Sequence, residues 1–269
     1  MSAEISTFVL YAERSLHLGR NVCVRGGDIG VRSPAHPNAG VQLTVGSGSR
    51  LDREKQVFSP CVSIGDDVGI GQILTNYFRD NDVVLTPLMP FPVLTMPALP
   101  VAPAPSSGSG NVTVPHGHTT VLLPGSYGDL TVCGRLELVP GDYSFTCVKA
   151  VDCAHIRVTR NLQVLGDQRA DEAAEQEKLT SANIRVKTSL VSGREVVIAP
   201  ADEQPAGELV ISVAGSDAPI GPAVSVGERS TIKAVLFAPH GTLALADHVR
   251  AAGGFAAFFR RGRPRTASR

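Results

Sequence analysis

Leu43-Thr44-Val45-Gly46 returns 19 residues later as Val62-Ser63-Ile64-Gly65. The phrase is apolar, x, apolar, Gly, then a few polar residues and another apolar one. Leu16-His17-Leu18-Gly19 has the same form ahead of Arg20, Asn21 and Val22. Near the end it reads Val224-Ser225-Val226-Gly227 and, again 19 residues on, Leu243-Ala244-Leu245-Ala246. Alternation with a period of two puts every second side chain on one face of a strand. A repeat of roughly 20 residues is one turn of a stacked β-helix, in which each turn buries its apolar face against its neighbours. The Gly opens the corner, where the chain needs a positive φ or a close backbone approach.

Away from these phrases the strand pattern continues. Leu123-Pro124-Gly125-Ser126-Tyr127 and Val139-Pro140-Gly141-Asp142-Tyr143 form a second repeat, each Pro-Gly a type II turn signal. Strands are expected beside them, as in Thr119 to Leu123 and Leu130 to Val132. Ile156-Arg157-Val158 and Leu162-Gln163-Val164 read as one-sided strands. Two segments break the pattern. Pro87 to Gly110 carries seven prolines and ends in Ser-Ser-Gly-Ser-Gly, an extended linker or strap. Arg169 to Leu179, RADEAAEQEKL, has the composition of a short exposed helix on an insertion. The divisions are therefore solenoid rungs over 1–86, a linker over 87–110, further rungs over 111–259 and a basic tail over 260–269. Both halves use one strand grammar, so they are expected to stack together with the linker outside.

Composition agrees with short stacked strands. Of the 269 residues 43% are hydrophobic and only 5% aromatic, with no Trp, so the core must be aliphatic. Twenty-five basic residues balance 25 acidic ones, which gives no general attraction to nucleic acid or anionic membrane and permits self-association. Cys23, Cys61, Cys133, Cys147 and Cys153 are odd in number and include no CxxC pair. They read as small apolar fillers, with Cys133 and Cys147 as the one candidate bridge. MSAEISTFVL lacks the basic and apolar regions of a secretory leader, and no stretch has the ~18 apolar residues of a membrane span. These features favour the cytoplasm.

Phe8-Val9-Leu10-Tyr11-Ala12 followed by Gly26-Gly27-Asp28-Ile29-Gly30-Val31 resembles the opening of bacterial ice-binding-like β-solenoids. Val235-Leu236-Phe237-Ala238-Pro239-His240-Gly241-Thr242-Leu243 is similar to the last rungs of bacterial surface β-helix proteins and of bactofilin-like polymer-forming proteins. The resemblance covers most of the chain as a grammar of rungs. It implies a right-handed parallel β-helix, a structural or binding role, and a place at the cell surface. Ice-binding faces in such proteins carry ranks of Thr-x-Thr; here Val112-Thr113-Val114 and Thr119-Thr120 are the nearest phrases.

Candidates for chemistry are sparse. His116 and His118 would share one face of a strand and could hold a metal, but Pro115 and Gly117 favour a turn. Asp28 is expected to bond its own turn, and Asp66-Asp67 to be a solvated corner. A polysaccharide-active site would need acids gathered on one face; Asp129, Glu137, Asp142, Asp152 and Arg157 are the candidates and look scattered. No nucleophile elbow, phosphate loop or dinucleotide pattern occurs. Arg260, Arg261, Arg263, Arg265 and Arg269 read as a solvated tail, with no basic folded face evident beside them.

The sequence thus leads to an all-β right-handed parallel β-solenoid with no catalytic residue, metal or cofactor. A structural, end-to-end self-assembling role ranks first, with apolar ends at Ser6 to Tyr11 and Phe255 to Phe259. A binding module for a repetitive glycan or ice surface ranks second, and a polysaccharide-active enzyme third. No specific nucleic acid partner is expected. The inward ladder of the last rungs should be Val224, Val226, Ile232, Val235, Phe237, Leu243 and Leu245, with Arg229 and Asp247 on outward corners.

Overall fold

The computed structural model describes residues 8–12, 15–31, 41–51, 54–75, 77–80, 83–85, 108–159, 181–201, 204–215, 222–238 and 242–257. Residues 87–107 of the linker expected over 87–110, the strand expected over Leu162 to Val164, the helix expected over Arg169 to Leu179 and the tail expected over 260–269 lie outside them. Among the described residues the chain is all-β, with one 3-10 turn at Ala206–Glu208. Their strands form an eleven-stranded sheet and a fifteen-stranded one, and among the described residues every strand pair but one is parallel. The fifteen-stranded sheet forks: residues 231–232 of the strand Thr231–Ala238 pair with Val197–Pro200, and residues 235–237 pair with Leu209–Val213. The molecule therefore has three ladders. We call the eleven-stranded sheet face I, the ladder through Arg135–Leu138 face II, and the ladder through Ala182–Val186 face III. Each pass of the chain visits the faces in turn.

Local sequence explains the strands. On face I, Leu16–Leu18, Leu130–Val132, Val148–Ala150, Val224–Val226 and Leu243–Leu245 all bury their first and third residues. Pairing sets like on like: Leu16 lies beside Leu43 and Leu243, and Leu18 beside Val45 and Leu245. Each aliphatic chain taken from water contributes roughly 1.5–3 kcal/mol. The inner residues of all three faces join in one cluster. Near one end it includes rings, with Tyr127 and Phe145 stacked at 5.5 Å and Tyr143 and Phe145 at 6.2 Å.

The corner from face I to face II is built the same way on most passes. Gly46 is needed for close approach: a Cβ there would lie 2.6 Å from the carbonyl carbon and oxygen of Gly19 on the neighbouring pass. The left-handed residue comes two positions later, at Asn21, Gly48, Asp67, Glu195, Arg229 and His248. A non-glycine residue there costs on the order of 1 kcal/mol. The next side chain turns inward, as Val22, Ser49, Val196, Ser230 and Val249 do. Ser49 Oγ sits 3.2 Å from the Val22 N–H and donates to Gly19 O, so a buried hydroxyl serves a neighbouring pass.

The passage from face II to face III has no single form. At the repeated Pro-Gly phrases, Tyr127 donates its hydroxyl to Leu123 O at 2.7 Å. The Tyr143 hydroxyl lies 2.6 Å from Val139 O and 2.8 Å from Leu122 O. The two tyrosines thus clasp the carbonyl four residues back. In Thr231–Ala238 there is no corner: burial alternates without a break over all eight residues. This corrects the inner ladder. Val224, Val226, Ile232, Leu243 and Leu245 are buried, but Val235 and Phe237 are half-exposed and Ala234, Leu236 and Ala238 take the inner places. The expected parity change between Ile232 and Val235 does not occur because the strand runs on through the fork.

The two halves stack in an order the sequence did not reveal. Phe8–Ala12 pairs with Arg250–Ala257 on one side and Asp28–Val31 on the other, and Leu16–Leu18 pairs with Leu243–Leu245. The N-terminal half follows the C-terminal half in space. The segments expected as free apolar ends therefore meet in mid-sheet. Residues 83–85 and 112–114 occupy opposite edges of face I, ten strand spacings or roughly 48 Å apart. The chain between them reaches roughly 85 Å when extended, enough to return outside the stack. All five cysteines are free. Leu130 pairs with Val148 and Val132 with Ala150, so Cys133 and Cys147 flank opposite ends of the paired strands and the candidate bridge is not made.

Candidate functional site

Outward residues of face II fall into two columns. The first runs Thr119, Arg135, His155, Val197, Thr231, Arg250, Cys23 and Arg50; the second runs Val121, Glu137, Arg157, Ala199, Lys233, Ala252 and Arg25. Between them lie Leu136, Ile156, Ile198, Ile232, Ala251 and Val24, all buried. The columns collect cations: Arg135, Arg157, Lys233, Arg250, Arg25 and Arg50. They contain one acid, Glu137, whose Oε1 is 3.0 Å from Arg135 Nε. Beside this pair, His155 has its pKa lowered, first by burial and then by Arg157 and Arg135. Burial and the two nearby guanidinium groups thus disfavour the protonated imidazole.

The neighbouring corner is charged but compensated. Arg194 meets Glu228 at 3.3 Å, Arg229 meets Glu195 at 3.0 Å, and Arg20 meets Asp247 at 2.9 Å. Asp247 also accepts the Arg20 backbone N–H at 2.7 Å, and Asp152 accepts that of Arg194 at 2.8 Å. The Arg20 backbone bond leads the causes that hold the Asp247 carboxyl below its usual range. Carboxylates here stitch one pass to the next. Arg229 and Asp247 lie on outward corners as expected, and there they are members of that stitching.

The other sequence candidates are dispersed. Asp142 lies on face III, 3.4 Å from Arg185. Asp129 opens the strand Leu130–Val132 of face I, and its N–H donates to Asn111 Oδ1. Glu137 and Arg157 do meet, as register partners. Asp28 does not close its own turn: it accepts the Gln56 N–H of another pass at 2.8 Å. Asp67 is a left-handed corner residue 3.6 Å from Arg50. His116 and His118 flank the left-handed Gly117 in an exposed turn. Among the described residues no three His, Cys, Asp or Glu gather as metal ligands. Thr113 pairs with Thr131, but Lys149 follows in that column of face I.

No family model, curated protein or solved structure matches this chain. Its site must therefore be read from its own geometry. Among the described residues no helix is long and apolar enough to cross a membrane. The basic columns were missed in the sequence because their members lie one or more passes apart. The available signal was positional: Arg50 and Arg250 each stand two residues after a left-handed corner residue.

Proposed function

We propose that the chain is a right-handed parallel β-solenoid without catalytic machinery, which presents a surface and assembles end to end. Parallel strands joined by crossovers are right-handed in about 98% of cases, which supports the hand. Dispersal of the candidate carboxylates over separate faces supports a non-enzymatic reading. One observation carries assembly. At one end of the stack, Val112–Val114, Thr119–Leu122 and Gly125–Ser126 each have a strand partner on one side only, among the described residues. Inner side chains there, Val112 and Thr120, are half-exposed. Such an edge templates pairing with another chain. The meeting of Phe8–Ala12 with Arg250–Ala257 is the same kind of contact made within one molecule.

At the far end, Val83–Leu85 closes the eleven-stranded sheet antiparallel to Tyr77–Asp80. The two ends are therefore unlike, and the all-parallel end is the one that joins. Light scattering and electron microscopy at rising concentration test this. Assembly should appear in the wild type and fall away in Thr120→Lys, which points a charge into the terminal pass. A wild type that stays monomeric at every concentration overturns the reading.

A further inference from the structure

We infer that the outward columns of face II bind a linear acidic polysaccharide, one carrying a carboxylate on each sugar, laid along the stack. The inference rests on the surface-presenting reading but not on assembly. Six of seven consecutive passes carry one cation each: Arg135 (which also meets Glu137), Arg157, Lys233, Arg250, Arg25 and Arg50 (which also lies 3.6 Å from Asp67). The exception is the pass presenting Val197 and Ala199. Strand spacing sets successive passes about 4.8 Å apart along the axis, so the cations span roughly 29 Å with one gap of two spacings between Arg157 and Lys233. The order is a product of folding, since residues 25 and 50 follow residue 250 in space.

Three features select the ligand. Five of the six cations are arginines, whose planar fork matches a carboxylate with two parallel hydrogen bonds. Ala199, Thr231, Ala252 and Cys23 between them are small, leaving room for a ribbon-like chain. No Phe or Tyr stands in either column, so nucleic acid bases find no stacking platform. Duplex phosphates also present a charge every ~1.7 Å of axis and curve away from a flat face. Glu137 and Asp67 lie beside the column cations Arg135 and Arg50, and the remaining corner carboxylates are taken by other arginines and a backbone amide. Each contact is exposed and weak, so affinity must come from many at once.

Titration of the full chain at low salt with fluorescently labelled oligogalacturonates tests this by anisotropy. Affinity should rise with length up to about seven sugars and fall steeply with added salt. The fully methyl-esterified oligomer, with the same backbone and no charge, should not bind. Arg25→Glu with Arg250→Glu should weaken binding at least about tenfold. Lys149→Glu on face I and Arg185→Glu on face III should change it less than about twofold. Arg25→Gln with Arg250→Gln should lose affinity while keeping the wild-type melting profile, separating binding from folding. Thr120→Lys should bind like the wild type, so loss of assembly and loss of binding are read apart. The inference is overturned if the wild type does not bind at low salt. It is equally overturned if Lys149→Glu or Arg185→Glu weakens binding as much as the double reversal, or if a 20-base-pair duplex binds more tightly than the uronate.

Discussion

The corner from face I to face II and the passage from face II to face III do the same job by different means. The first forces the backbone through one left-handed residue, at Asn21, Gly48, Asp67, Glu195, Arg229 and His248. It also brings successive passes so close that a Cβ at Gly46 would meet Gly19. The second turns at a Pro-Gly phrase, at the 3-10 turn Ala206–Glu208, or within a continuous strand. Where successive passes approach closely, glycine repeats, as at Gly19, Gly46, Gly65, Gly193 and Gly227, while the left-handed position itself varies. Where the backbone is free, residue types do not repeat in this way, and insertions are tolerated.

The largest effects should come from the inner residues beside the constrained corner. Val226→Asp or Leu245→Asp puts an unpaired charge in the dry core and should cost on the order of 4 kcal/mol, read by urea or thermal melts. At the free passage, Leu236→Ala should cost about 3 kcal/mol and Val235→Ala less than about 1. A reversed order for that pair would restore the parity change that the structure removes. Gly46→Val should cost about 2 kcal/mol through overpacking. Gly207→Ala, where a Cβ meets nothing within 4 Å, should shift the melt by under about 0.5 kcal/mol. Equal losses at the two glycines would erase the contrast between the corners.

The smallest effect is electrostatic. Asp247 is held as a carboxylate by Arg20, so its folded pKa lies below its unfolded one. Its contribution is whole above the ordinary aspartate pKa of about 3.9 and is lost as the pH falls through the lowered folded value. The pair is partly solvated, so Asp247→Asn should cost under about 1 kcal/mol at neutral pH and nothing in strong acid. An unchanged difference between the two proteins from pH 7 down to pH 2 would show that the carboxylate charge is not what joins these passes.

The same contrast explains what could be read from sequence. Phrases such as Val224-Ser225-Val226-Gly227 revealed parallel one-sided strands, because the alternation and the recurring corner glycine mark them together. Val235 and Phe237 were assigned inward because a corner was expected where the chain needs none. The stacking order was illegible: Leu16-His17-Leu18 suits Leu43–Val45 and Leu243–Leu245 equally well, and both are its neighbours. The basic columns inherit that difficulty, since Arg250 meets the pass of Arg25 only once the order is known.

The meeting of Phe8–Ala12 with Arg250–Ala257 also bears on how the molecule is made. Phe8–Ala12 lacks one of its partners until Arg250–Ala257 is synthesised. Arg20 waits 227 positions for Asp247. The early half must persist with an open edge, and closing it is a contact of very high sequence separation, which makes for slow folding. During synthesis the half-built stack offers that edge to any strand nearby, so biogenesis, before any mature surface is at work, is when this protein is most exposed to wrong pairing and most dependent on being shielded.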